Sequence, residues 1–159
     1  MARQFSLPQN LKIVPLLAPT TTNGGVDSRR VNTAGFHKVW LVAEMKQAAG
    51  HATAVTLRQA TAVTGGSNAA GPAATQNWLN EDAAAGDTLT KGSNGNSVTV
   101  TNNIKSKQVV FEVLPEDLAA GSPYVYLNFG DSSQATNFVS VTAYGHPRYQ
   151  QATPPTAVT

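Results

Sequence analysis

The 159-residue chain has no cysteine, which removes disulfides and thiolate metal sites and leaves the fold independent of redox compartment. It is also short of charge. Charged residues make up 13%, about half of the roughly 25% usual in globular proteins. The net charge is only +2, too weak a surplus to imply nucleic acid. No run approaches the length of about 18 apolar residues that a membrane-spanning helix needs. The first residues show no basic region followed by a continuous apolar run, so assembly in the cytoplasm is expected, with no membrane partner. Catalytic groupings are missing as well. His37, His51 and His146 are scattered, without H-E-x-x-H spacing, so no metal site is expected. "TKGSNGNS" lacks the phosphate-loop spacing, and there is no G-x-S-x-G elbow. The pairs Glu81-Asp82 and Glu116-Asp117 read as solvated charge, because neighbours in an extended segment point apart. The expectation is a protein with no catalytic residue and no cofactor.

What is present is strand pattern. Hydrophobic residues make up 41%, and they alternate over short segments. In "FHKVWLVAEM" (36–45), Val39, Leu41, Ala43 and Met45 share one face and Phe36, Trp40 and Val42 the other, as in a central strand buried on both sides. "TAVTLRQATAV" (53–63) places Val55, Leu57 and Val63 opposite Thr56 and Arg58. "KQVVFEVL" (107–114) points Val109, Phe111 and Val113 inward, and "PEDL" then reads as a helical turn. "YVYLNFG" (124–130) buries Val125, Leu127 and Phe129, and "NFVSVTAYG" (137–145) buries Val139, Val141 and Ala143. "KIVPLL" (12–17), confined to an edge by Pro15, and "SVTVT" (97–101) bring the expected strands to seven. The turns at 48–50, 119–123 and 130–136 read as hairpins. Half-apolar sheets must cover one another, so the fold class is all-β, an antiparallel β-sandwich or a jelly-roll-like barrel.

Three regions follow from composition. Residues 1–25 carry three prolines and only two charges, Arg3 and Lys12, and read as an extended arm held by a neighbouring molecule. Residues 26–145 form the core, with a Gly/Ala/Asn-rich excursion at 65–96 in which Trp78 and Leu79 serve as an anchor. Residues 146–159, with three prolines, read as a second arm. Candidate partner-binding residues are Leu11, Ile13 and Leu17 on the first arm and the basic pair Arg29 and Arg30. Tyr144, Arg148 and Tyr149, in "AYGHPRY", complete the set. For that last cluster, closure of the domain edge is the alternative role.

The order of these words, "VNTAGFHKVWLVAEM", "ATAVTLRQAT", "VVFEVLPEDL", "YVYLNF" and "FVSVTAYGHPRY", resembles a family of small structural proteins encoded in tailed-bacteriophage genomes. The resemblance covers roughly residues 26–150, with "TLRQAT" and "HPRY" its most distinctive words. It implies a non-enzymatic virion protein of the phage head: a capsid decoration or cement protein that bridges major capsid subunits. Its partners would be the major capsid protein and further copies of itself, with a trimer as the expected oligomer. A neck, tail or head-fibre component is the alternative within the virion. Outside it, the alternative is a carbohydrate-binding jelly roll using Tyr124, Tyr126 or Trp78 as stacking platforms.

Overall fold

Period-two alternation of apolar residues builds the fold. The computed structural model describes residues 7–149. One helical turn, α1 (Leu7–Asn10), precedes β1 (Lys12–Thr21), β2 (Val26–Asp27), β3 (Val31–Asn32), β4 (Phe36–Lys46), β5 (Thr53–Ala60) and β6 (Asn68–Ala70). There follow β7 (Gln76–Asn80), β8 (Thr90–Lys91), β9 (Ser97–Val100), β10 (Ser106–Val113), β11 (Tyr124–Phe129) and β12 (Phe138–Pro147). Each of the seven expected strands forms, and the expected turn after β10 is a 3-10 turn at Pro115–Asp117.

The strands make two antiparallel sheets. The first runs β1-β12-β4-β10-β7-β8 and the second β2-β11-β5-β6, with β3 also on β11 and β9 also on β5. Inward side chains of both sheets meet in one apolar core: Val39, Leu41 and Ala43 of β4 and Phe111 of β10 on one side, Leu57 of β5 and Val125, Leu127 and Phe129 of β11 on the other. The molecule is an all-β sandwich. Its chain path has a consequence that turn chemistry does not show. The turns at 48–50, 119–123 and 130–136 are not hairpins, because each joins a strand of one sheet to a strand of the other. Gly, Ser, Asp and Pro specify a reversal, not the layer in which the returning strand pairs.

The N-terminal region departs most from expectation. From residue 12 it is no arm but the edge strand of the first sheet, paired with β12 from Lys12 opposite Gly145 to Thr21 opposite Phe138. Val14 and Leu16 alternate into the core, and their burial orders the segment without a neighbouring molecule. Pro15, which cannot donate, sits opposite Thr142 on this edge, and the register shifts on either side of Leu17. The turn after β1 needs glycine: Gly25 has φ +75°, and an added Cβ would lie 3.1 Å from the Phe129 carbonyl oxygen. Residues 1–6 and 150–159 lie outside the described residues, and with them most of the expected second arm. Its first residues, His146 and Pro147, still belong to β12.

Three further corrections follow. β4 is central, as expected, but buried on one face only, with Trp40 and Val42 half-exposed. β5 ends at Ala60, so Val63 stands in a loop and not on the inward face. The excursion at 65–96 contains β6, β7 and β8, and β7 pairs with β10 along Gln76–Asn80. Its asparagines hold it. The Asn77 amide donates to the carbonyls of Ser93 (2.9 Å) and Gly95 (3.1 Å), Asn80 donates to Gly86 (2.8 Å), and Asn96 donates to Gly71 (2.6 Å).

Candidate interaction surface

The outward side chains of the first sheet form a continuous face across five strands. Register places Ile13, Tyr144, Trp40, Glu112 and Gln76 in one row. The next row holds Pro15, Thr142, Val42, Val110 and Trp78. Trp40, Val42, Tyr144 and Trp78 are half-buried, Ile13 is 40% exposed, and Val110, between Val42 and Trp78, is buried. One end of the face hollows into a groove of about 450 Å³ lined by Pro19, Glu44, Lys46, Gln108, Phe138 and Ser140.

The charges on this face nearly cancel. Glu112 accepts from Trp40 Nε1 through Oε2 and pairs with Lys38 Nζ through Oε1, both at 2.9 Å. The Lys38 ammonium also lies 5.6 Å from the Trp40 ring centroid. These contacts fix the Trp40 ring in place. Such a surface offers aromatic contact area at low ordering cost.

The expected partner-binding residues are divided by the structure. Ile13 and Tyr144 come together in the first row, as neighbours across β1 and β12. Leu11 is half-buried just before β1, and Leu17 packs against the core. Arg29 is exposed, while its backbone N–H donates to Leu16 O at 2.9 Å and ties the strap between β2 and β3 to β1. Arg30 is engaged in bonds to Ala62 O (2.6 Å) and Asn68 Oδ1 (2.8 Å). Arg148 closes the domain edge, donating from Nε to Phe36 O at 2.9 Å, whereas Tyr149 is 77% exposed. Of the stacking platforms, Tyr126 is unavailable: it is 3% exposed and lies beneath the Arg30 guanidinium. Leu79 packs on the core as the expected anchor, and Trp78 lies on the outward face.

Alternation along β4 and β12 separated Trp40, Val42 and Tyr144 from the inward residues, but Gln76 and Trp78 lay in a segment without strand pattern, and the alignment of the rows is set by pairing and not by sequence. His37 and His146, far apart in sequence, have ring centroids 5.8 Å apart. Among the described residues no group of three or more His, Asp or Glu side chains is placed to hold a metal ion.

Glu81 departs from the expected solvated charge, whereas Asp82 stays solvent-accessible. Lys107 points inward at the end of β10 with its side chain fully buried, and its ammonium meets Glu81 Oε2 (2.6 Å), Thr101 O (2.6 Å) and Thr101 Oγ1 (2.8 Å). Asp82 pairs with Lys105 at 2.7 Å. Burial opposes the Glu81 charge, but the hydrogen bonds from Lys107 and Thr101 outweigh it and lower the carboxyl pKa.

No family model, curated protein or solved structure matches this chain.

Proposed function

We propose that the protein is a structural component of a tailed-phage virion that binds the capsid surface and bridges major capsid subunits, performing no reaction. The observation that supports this reading best is the outward face of the first sheet. It spans five strands, carries Tyr144, Trp40 and Trp78 half-exposed, and is close to electrically neutral. Aromatic, weakly charged surfaces of this kind fit a protein partner better than bulk solvent. The resemblance carried by "TLRQAT" and "HPRY" supplies the virion context. A capsid presents many equivalent sites, so a modest contact per copy suffices when neighbouring copies also touch, and a trimer at local threefold positions fits that geometry.

Docking uses the folded face and not a free N-terminal arm, since residues 12–21 are already paired within the sandwich. The test is the position and copy number of the chain in an intact particle. Hundreds of copies on the head surface are expected. A dozen or fewer copies at the neck, tail or a fibre would overturn the capsid assignment.

A further inference from the structure

No metal-ligand spacing links the histidines along the chain, but the fold pairs two of them across strands. β12 and β4 stay in register from Phe138 opposite Lys46 to His146 opposite Lys38, and the next partners are Pro147 and Phe36. His37 is therefore an extra residue on β4. Such a bulge re-aims a side chain that strict alternation would send elsewhere. Phe36 and Val39 both turn into the core, and His37 and Lys38 lie between them at the outer surface. Gly145, beside His146, makes room for the Phe36 ring, which an added Cβ would meet at 2.5 Å. Arg148 ties the bulge down, giving its backbone N–H to Gly35 O (3.0 Å) and its Nε–H to Phe36 O (2.9 Å).

His37 and His146 are thereby held side by side at one end of the first sheet, both exposed, with ring centroids 5.8 Å apart and ring planes tilted by 38°. Neither ring has a hydrogen bond to another described residue. The adjacent cations are turned to other partners, Lys38 to Glu112 at 2.9 Å and Arg148 to the Phe36 carbonyl. A zinc–imidazole bond is about 2.0–2.1 Å, so two imidazoles on one ion, with centroids roughly 1 Å behind the ligating nitrogens, stand about 5–6 Å apart from centroid to centroid. The spacing of this pair falls in that range. Rotation about χ2, which is broad for histidine, presents either ring nitrogen to the gap without moving the backbone.

We propose that His37 and His146 form a binding site for one divalent transition cation of the zinc, nickel and copper class, with both imidazoles as ligands and water in the remaining positions. Imidazole nitrogen suits these ions and not Mg²⁺ or Ca²⁺, which take oxygen ligands. The two histidines stand on paired strands whose backbones are already fixed, so the second ligand binds intramolecularly once the first has taken the ion. The site lies one row beyond Tyr144 and Trp40 and does not depend on the virion reading.

The test is titration of the full chain with ZnCl₂, followed by calorimetry and by NMR of the histidine Cε1–Hε1 signals, with MgCl₂ as a second titrant. Joint, saturable shifts of His37 and His146 with Zn²⁺ are expected, at one ion per chain, with His51 unmoved. His37→Gln and His146→Gln should each weaken zinc binding by about tenfold or more, since each leaves a single ligand. His51→Gln should leave it unchanged. Both side chains of the pair are exposed, and an amide fingerprint that stays native in each variant separates a lost ligand from a lost fold. Unchanged affinity in either natively folded variant, an equal loss in His51→Gln, or Mg²⁺ shifting the two rings as Zn²⁺ does would each overturn the proposal.

Discussion

Lys107 shows how one charged residue occupies an inward position. Its aliphatic stem continues the core row of Val109 and Phe111, and its ammonium emerges at the sandwich end among Thr101 and Glu81. Removing the anion leaves a buried ammonium with two oxygen partners from Thr101, so Glu81→Gln should destabilise by about 2 kcal/mol, below the usual range for a fully buried pair because Glu81 is partly exposed. Lys107→Met, which removes the charge with the need for a partner, should stay within about 1 kcal/mol of the parent. Urea titration of both variants checks the contrast. The same pair sets an acid limit. The Glu81 carboxyl titrates below its ordinary 4.5 in the folded protein, so its contribution is complete above 4.5 and is lost as pH falls through the lower folded-state value. Stability of Glu81→Gln followed from pH 7 to 2 should lack this component. Gly145 answers a different constraint, since an added Cβ would sit 2.5 Å from the Phe36 ring, and Gly145→Ala should cost about 1–3 kcal/mol by thermal unfolding.

At the scale of elements, β1 decides how the N-terminal region is understood. A short strand at 12–17 and the edge-restricting Pro15 were legible in the sequence; that the receiving edge belongs to the same molecule was not, because strand partners depend on three-dimensional register. Leu16, 1% exposed, should cost about 2–5 kcal/mol on replacement by alanine, and a chain lacking residues 1–25 should not fold to the native sandwich. Circular dichroism of both would show whether β1 is integral; native stability of the truncated chain would make it dispensable. The inter-sheet turns were misjudged for a related reason. Asn137 links one of them to the last strand, accepting from Ala48 N (2.9 Å) and Ala49 N (2.8 Å) and donating to Ala49 O (2.9 Å). Placed by its pattern at the head of the last strand segment, Asn137 gave no sign in the sequence of this role as a clamp. Asn137→Ala should cost about 2 kcal/mol through the unsatisfied amides, measured by denaturant unfolding.

For the whole molecule, the sandwich follows from paired half-apolar sheets, and that much was readable from the seven alternating segments. The outward face of the first sheet was readable only in part. Ile13 and Tyr144 stood out as candidates, but their adjacency, and the recruitment of Trp40 and Trp78 to the same surface, follow from strand order. The excursion defeated composition-based reading because asparagine hydrogen bonds, not apolar periodicity, hold it together. The central claim is that this folded face carries the molecule onto its shell. The direct test is occupancy of purified heads lacking the protein, comparing the parent with an Ile13→Lys/Tyr144→Ala double variant and with Thr99→Lys on the other sheet. The account predicts native unfolding temperature for all three and occupancy lowered by about tenfold or more in the double variant alone, as loss of aromatic and apolar anchors entails. Full occupancy by the double variant, at native stability, would contradict it.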